Sequence, residues 1–367
     1  EPSSSLRAEA RLRHHARSLP ESSPSRARLL AYAEGRGRLS LSAEVPATAR
    51  LFRYVERRRR LVPELTLELD CPIADLELEL GSYLVELRAE GRPTVRYPVA
   101  IERQGSWQAE GVRVPERLTP DEVFVPAGPF WAGGDPSAVG SIPRQRVHLG
   151  DFVVRRFPVT NADYVLFLDD LVDQGRQHEA LRHAPRLRGA RVGELGALIY
   201  GRDSQGHFVR RADSDGDLWQ DHDPVVMIDW HGAAAYAGWL AARSGEPWRL
   251  PTSHEWGKAA RGVDGRHYPW GQGFDPTWCC VRDSFPPELR EISSVDSFPV
   301  DESPYGVRGL AGNVRDWCAD ARPGVTRRFN RGGFWLGSAR DARSADRHEH
   351  EPDHRAGVLG FRVARDL

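Results

Sequence analysis

The sequence predicts an α+β protein, in which a small all-β unit precedes a larger mixed domain. In the segments 38–44, 64–69 and 82–90, apolar and polar residues alternate along the chain, which is the period of a strand with one buried face. From residue 119 onward the chain is dense in glycine, tryptophan and proline. Two segments of this larger domain carry apolar residues at helical spacing, so we expect few helices there.

We predict three parts: a polar helical or linker segment at 1–34, a small antiparallel β-sandwich at 35–118, and a large domain at 119–367. Within the large domain, residues 171–220 match no motif. We interpret them as a surface insertion, and long loops in compact domains are often functional.

The two predicted helices have recognisable ends. One begins with Thr160 or Asn161 as its N-cap, because a side-chain oxygen there can accept a hydrogen bond from a free amide of the first turn. The other is rich in alanine, runs over 229–243 and ends before Gly245, since glycine favours the left-handed conformation that closes many helices.

Composition excludes several classes of protein. The net charge of −1 over 367 residues argues against a nucleic-acid partner, which would favour a basic surplus. No run of about 18 apolar residues occurs, so we expect no membrane insertion.

The four cysteines lack CxxC spacing, which favours free thiols in a reducing compartment. We predict a cytoplasmic location because no signal peptide begins the chain. Glu1 is not a start methionine, so we expect a further segment upstream.

Eight short motifs follow one another through the large domain: Val125–Phe130, Pro158–Asn161, Pro224–Trp230, Arg249–Gly262, Tyr268–Gly271, Ser303–Trp317, Arg331–Gly333 and Gly360–Arg362. Together they resemble the formylglycine-generating enzyme (sulfatase-modifying factor) family. The resemblance implies a C-type-lectin-like α+β domain with much irregular structure. A separate stretch, 80–91, resembles the PEGA-type β-domains of bacterial signalling proteins, so we expect the small sandwich to be PEGA-like.

The same resemblance bears on catalysis. It implies that catalytic members hold copper(I) with two cysteines placed a few residues after Arg331–Gly333. The matching positions here are Gly337 and Ala342, and neither can supply the thiolate that soft Cu(I) prefers. We therefore predict that the chain is not an enzyme and requires no cofactor.

Two further metal hypotheses arise. The resemblance implies a calcium site at Asn313, Val314 and Asp316, and oxygen donors suit Ca²⁺. The stretch 348–354 places histidines and acidic residues close together, which could indicate a metal site, but we favour an irregular polar loop there.

The C-terminal segment also carries residues interleaved with the family motifs, and we predict that they form the ligand-binding surface: Phe334, Trp335, Leu336, Gly337, Ser338, Asp341, Asp346, His348, His350, His354, Ala356, Gly357 and Val358. All except Trp335 are residues that arise when the adenines of an AAC codon are randomised. This resembles the variable proteins of diversity-generating retroelements. The alternative is an ordinary family member whose pocket residues have drifted.

We therefore predict a binding domain for a protein or peptide, with 334–358 as its variable surface. The chain also resembles the C-terminal part of bacterial serine/threonine kinases, which implies a sensor or output module with a kinase domain upstream. Two alternatives stay open. One is a copper- or other metal-dependent oxidase of the same family, and the other is a structural or assembly module.

Overall fold

The structure is a computed structural model that describes residues 2–188, 195–214, 216–289 and 291–367. The chain divides into two compact units, one of Glu1–Val55 with Val62–Arg117, and one of Glu56–Leu61 with Leu118–Leu367. None of the described helices is both long enough and apolar enough to cross a bilayer.

The N-terminal unit begins with two helices, α1 (Pro2–Ser18) and α2 (Pro24–Glu34). Helix α2 ends at Gly35, whose φ of 66° is the left-handed C-cap. Two sheets of order β4-β1-β7 and β3-β2-β5-β6 follow. Their strands are β1 (Arg36–Ala43), β2 (Thr48–Arg57), β3 (Arg60–Asp70), β4 (Ile73–Glu79), β5 (Gly81–Arg88), β6 (Val95–Ile101) and β7 (Ser106–Val112).

Strand β1 shows how the alternating pattern builds the core of this unit. Leu39 and Leu41 are buried, whereas Arg36 and Arg38 are exposed, because successive side chains of a strand point to opposite faces. β1 pairs antiparallel with β4 and parallel with β7.

In its described residues, the larger unit mixes short strands with four α-helices and long irregular stretches, so the predicted α+β class is confirmed. Its helices are α3 (Asn161–Asp173), α4 (Gln177–His183), α5 (Trp230–Ser244) and α6 (Ser253–Arg261), with 3-10 turns at Pro276–Trp278 and Pro287–Leu289. The strands are β8 (Glu122–Val125), β9 (Gly128–Ala132), β10 (Gln145–Leu149), β11 (Phe152–Arg155), β12 (Arg186–Arg188), β13 (Leu195–Leu198), β14 (Gly201–Arg202), β15 (Phe208–Val209), β16 (Trp248–Arg249), β17 (Arg315–Ala321), β18 (Arg328–Arg331), β19 (Arg347–His350), β20 (Leu359–Gly360) and β21 (Ala364–Arg365).

Two four-stranded sheets organise this unit, with orders β16-β21-β11-β8 and β19-β18-β17-β20. Three further pairs, β9-β10, β12-β13 and β14-β15, are separate hairpins. Residues 171–220, predicted as a surface insertion, contain α4 and the pairs β12-β13 and β14-β15, while 189–194 and 215 lie outside the described residues.

Helix ends follow the predicted chemistry. Thr160 caps α3, and its hydroxyl and the Asp163 carboxylate exchange hydrogen bonds with each other's backbone amides, which is a capping box. Asp229 caps α5, and Gly245 ends it with a φ of 76°.

A buried ion pair connects separate parts of the larger unit. Arg362 Nε donates to Asp316 Oδ2 at 2.6 Å, and Trp256 Nε1 donates to the same oxygen at 2.7 Å. The other guanidinium nitrogens of Arg362 donate to the carbonyl oxygens of Arg156, Arg308 and Gly309. Both charged side chains are about 1% exposed, so each buried charge depends on the opposite charge of the other side chain for its neutralisation.

Substitution of Arg362 by methionine should be strongly destabilising, because it leaves a carboxylate buried without a counter-charge. We expect the free energy of unfolding, measured with urea, to fall by about 3–5 kcal/mol. Arg322→Met is the matched control, since its ion pair with Glu349 lies at the surface and should be worth less than about 1 kcal/mol. Equal losses in the two variants would contradict a central role for Arg362.

Candidate functional site

Arg315, at the start of β17, brings together four of the predicted ligand-binding residues. Its Nη1 lies 2.6 Å from Asp346 Oδ1 and its Nη2 lies 3.7 Å from Asp341 Oδ1. The guanidinium carbon is 4.8 Å from the centre of the Phe334 ring, within the range of a cation–π contact. The Arg315 amide donates to the Val358 carbonyl. Arg315 was not predicted as part of this site, because its only distinguishing feature in the sequence is its position between the predicted calcium residues Val314 and Asp316.

Asp341 is fixed by the chain immediately before it. The amide and hydroxyl of Ser338 both donate to Asp341 Oδ2, at 2.8 and 2.7 Å. Partial burial works to raise the pKa of Asp341, but the Ser338 hydrogen bonds and the Arg315 charge outweigh it and hold that pKa below its usual range. Gly337, which precedes Ser338, is buried, and its carbonyl accepts from the Arg282 amide.

His350, the last residue of β19, and His354 form a second group. Their rings stack with centroids 4.5 Å apart, and His350 Nδ1 lies 2.8 Å from Asn330 Nδ2. Burial, followed by repulsion from His354, His348 and Arg315, lowers the pKa of His350 to about 4. We infer that His350 is a neutral acceptor near neutral pH.

Trp335 and Gly357 form a third group, at the mouth of a cavity of about 570 Å³. Trp335 Nε1 donates to the Gly357 carbonyl at 2.9 Å, and the neighbouring Ala356 carbonyl accepts from the Met227 amide. The remaining lining residues come from three other stretches of the chain: Leu187, Asp217, Leu218, Trp219, Gln220, Asp223, Met227, Glu291, Ile292, Ser293, Ser294 and Ser297.

The cavity has a strongly negative lining. Asp217, Asp223 and Glu291 contribute carboxylates, and none of the described lining residues is lysine, arginine or histidine. Burial raises the pKa of Asp223, and the nearby Glu291 charge raises it further, although the Gln220 amide and the nearby His222 oppose both. The like charges of Asp223 and Glu291 repel each other, so a positively charged ligand would relieve that repulsion.

The predicted ligand-binding residues therefore fall into three neighbourhoods, with Leu336 apart from them at 43% exposure. The C-terminal segment contributes to each neighbourhood, but most of the cavity lining lies outside it. Of the lining residues outside this segment, Met227 lies in the motif Pro224–Trp230 and the others lie in none of the eight motifs, because they meet only through the fold.

The predicted calcium donors have other partners. Asn313 Oδ1 accepts from the Ser293 amide, and its Nδ2 donates to the Ser293 carbonyl. Asp316 Oδ2 is occupied by Trp256 and Arg362, as described above. The Val314 amide donates to Gly312, and its side chain is buried. Asn313 Oδ1 and Asp316 Oδ2 thus already accept hydrogen bonds within the protein, and calcium binding at these residues stays a prediction.

Gly337 and Ala342 occupy the positions that the resemblance assigns to copper ligands. Ala342 is about 1% exposed and belongs to an apolar cluster with Tyr268, Trp270 and Cys279. The four cysteines are free, and burial raises the pKa of the Cys279 and Cys318 thiols well above the usual value, so both resist forming the thiolate that binds metals.

These motifs and this fold are those of one family. The chain belongs to the sulfatase-modifying factor enzyme 1-like domain family, whose pattern matches residues 108–367. The predicted formylglycine-generating-enzyme type of fold, with its C-type-lectin architecture, is thereby confirmed.

The individual relatives differ in kind. The chain is 28% identical to serine/threonine-protein kinase Pkn1 of Chlamydia trachomatis, over 69% of this chain and 39% of the kinase. It is 32% identical to inactive C-alpha-formylglycine-generating enzyme 2 of Mus musculus, over 67% of this chain and 85% of that protein. It is 29% identical to the formylglycine-generating enzyme of Thermomonospora curvata, over 69% of this chain and 96% of that enzyme. The chain thus spans about two fifths of the kinase relatives that it matches.

Among solved structures, PvdO from Pseudomonas aeruginosa superimposes with a TM-score of 0.50. The two are 22% identical over 67% of this chain and 94% of PvdO. At that identity the match supports the shared fold and nothing about activity.

His350 should make the stability of the protein sensitive to acid. Its pKa is lowered from 6.5 to about 4 by folding, so between these values the unfolded chain binds the extra proton and stability falls as the pH falls. Between about pH 7 and about pH 4.5, we expect the parent to lose about 1–2 kcal/mol more than His350→Gln in urea unfolding. Glutamine retains an acceptor for Asn330.

The control for this comparison is His178→Gln, which changes an exposed histidine and should follow the parent. Parallel losses in the parent and in His350→Gln would show that His350 is not the group responsible.

Proposed function

We propose that this domain binds a protein or peptide ligand and does not act as a copper-dependent oxygenase. The observation that carries the proposal is the cavity of about 570 Å³ that opens beside Trp335 and Gly357. Its size is within the range of ligand pockets. The similarity to an inactive formylglycine-generating enzyme supports the non-catalytic part, as does the absence of a thiol from Gly337 and Ala342.

Residues 334–358 form the binding surface in this proposal. Much of the segment is held by its backbone: the Trp335 amide donates to the Asn313 carbonyl, and the Val358 carbonyl accepts from the Arg315 amide. Such contacts survive a change of side chain, so recognition can vary while the fold is kept. We include retroelement diversification of these codons in the proposal, which comparison of the gene between isolates would test.

The wider protein is also part of the proposal. Similarity to Pkn1 supports association with a serine/threonine kinase, with this domain acting as its sensor or output module. We propose that the N-terminal sheets are PEGA-like and that the protein is cytoplasmic. The predicted parts at 1–34, 35–118 and 119–367 remain our proposed division.

The chemistry of the cavity favours a basic ligand segment. Trp219 and Trp335 offer aromatic faces, and Asp217, Asp223 and Glu291 offer negative charge. Among the described lining residues there is no lysine, arginine or histidine. Aromatic faces and carboxylates together suit an arginine or lysine side chain.

A phage-displayed library of random peptides tests this proposal. We expect the peptides enriched on the parent chain to carry arginine or lysine. Trp335→Ala and Glu291→Gln should each weaken their binding by about tenfold or more, because each removes a side chain that lines the cavity. Peptide affinity is measured by biolayer interferometry with synthetic peptides.

Glu288→Gln is the matched control, since Glu288 is exposed, lies three residues from Glu291 and is outside the lining. Enrichment of peptides that lack basic residues would overturn the assignment of the cavity as the ligand site. Peptides that bind both pocket variants with unchanged affinity would overturn it as well. No enrichment on the parent would favour a structural or assembly module.

Similarity to an active formylglycine-generating enzyme makes the oxidase the second candidate. We expect no copper-dependent oxygen uptake when the chain is supplied with Cu(I) and a cysteine-containing peptide, because Gly337 and Ala342 provide no thiolate. An oxygen electrode measures the uptake. Turnover that depends on copper and is lost on chelation would establish the oxidase and contradict the binding-only proposal.

A further inference from the structure

We propose that Asp341, Asp346 and His348 form a binding site for one divalent first-row transition-metal ion. One potential ligand atom of each residue lies within 4.8 Å of the other two. These residues were predicted as part of a ligand-contacting surface, and the histidines that follow in the sequence do not join them. His350 and His354 stack on each other instead.

Two buried polar atoms in this group point to a missing partner. Asp346 is 0% exposed, and its Oδ2 has no hydrogen-bond partner among the described residues. His348 Nε2 likewise has none, although it lies 3.2 Å from Asp346 Oδ1. Buried polar atoms are nearly always satisfied in native proteins, and a metal ion would satisfy both.

Neighbouring groups hold each donor in place without occupying it. Ser338 donates two hydrogen bonds to Asp341 Oδ2, whereas Asp341 Oδ1 lies 3.7 Å from Arg315 Nη2, beyond hydrogen-bond distance. Arg315 Nη1 donates a hydrogen bond to Asp346 Oδ1 at 2.6 Å, and Asp346 Oδ2 stays available to a metal ion. The backbone of His348 is fixed by the pairing of β19 with β18, where it lies opposite Asn330. Such supporting hydrogen bonds orient ligands in known metal sites.

The donor set selects the kind of ion. One imidazole and two carboxylates suit zinc, cobalt or nickel in the divalent state, whereas Ca²⁺ favours oxygen alone and Cu(I) favours thiolates. Two carboxylates and the Arg315 cation leave a net negative charge for a divalent ion to compensate. Three protein donors leave a coordination position open to water or to a ligand atom, and the His348 side chain is 32% exposed.

Metal titration of the full chain, prepared without a histidine tag and freed of metal with EDTA, tests this proposal. We expect Co²⁺ to produce visible d–d absorption and Zn²⁺ to bind by calorimetry with one ion per chain. His348→Ala and Asp341→Asn should each weaken binding by at least about tenfold. Asp346→Asn should do the same, but it also removes the counter-charge of Arg315 and can unfold the chain, so the first two variants carry the test.

His354→Ala is the matched control, because it removes a nearby histidine outside the group, and it should bind as the parent does. Absence of metal binding to the parent would overturn the proposal and leave the direct contact of 3.2 Å between His348 Nε2 and Asp346 Oδ1 as the reason for their proximity. Equal affinity in the parent and in His348→Ala would overturn it as well. Neither result depends on the peptide cavity, which has different residues.

Discussion

The ion pair between Asp316 and Arg362 is the interaction on which the larger unit most depends. It joins the third strand of one sheet to the C-terminal segment, and Trp256 adds helix α6 to the same carboxylate. Arg362 also donates hydrogen bonds to three backbone carbonyl oxygens. Because both charges are buried, the arrangement holds only when every one of these elements is in place, which makes it a cooperative constraint on a unit with little regular secondary structure.

This constraint also explains how the proposed binding segment can be held at both ends. At its start, a Cβ on Gly333 would lie 2.0 Å from the Ala311 carbonyl oxygen, so only glycine permits the close approach of these two stretches. After the end of the segment, Arg362 is held by its buried ion pair with Asp316. Between these points most side chains are partly exposed, and they can change without loss of either anchor.

Helices α3 and α5 could be predicted from the sequence because the signals at their ends are local. Thr160 and Asp163 lie three residues apart, and Gly245 follows its helix directly. The role of Asp316 could not be predicted, since its partner lies 46 residues away, and the family resemblance implied calcium there instead.

The same limit applies to the candidate site. The C-terminal residues were found because they interrupt a family motif, but the cavity and the Arg315 contacts arise only from tertiary packing. Asp346 illustrates the difference: it was predicted as an adaptable surface residue, yet it is fully buried against Arg315. A pattern of codons or residue types carries no information about burial of that kind.

If the scaffold is fixed and its binding surface can be exchanged, saturation substitution of residues 310–367 should separate the two, with the protease resistance of each displayed variant as the measure of folding. We expect Asp316, Gly333 and Arg362 to tolerate almost no replacement, whereas Leu336, Ser338 and His354 should accept most residues. Uniform intolerance across 334–358, or free replacement of Arg362, would show that the scaffold and the surface are not separable.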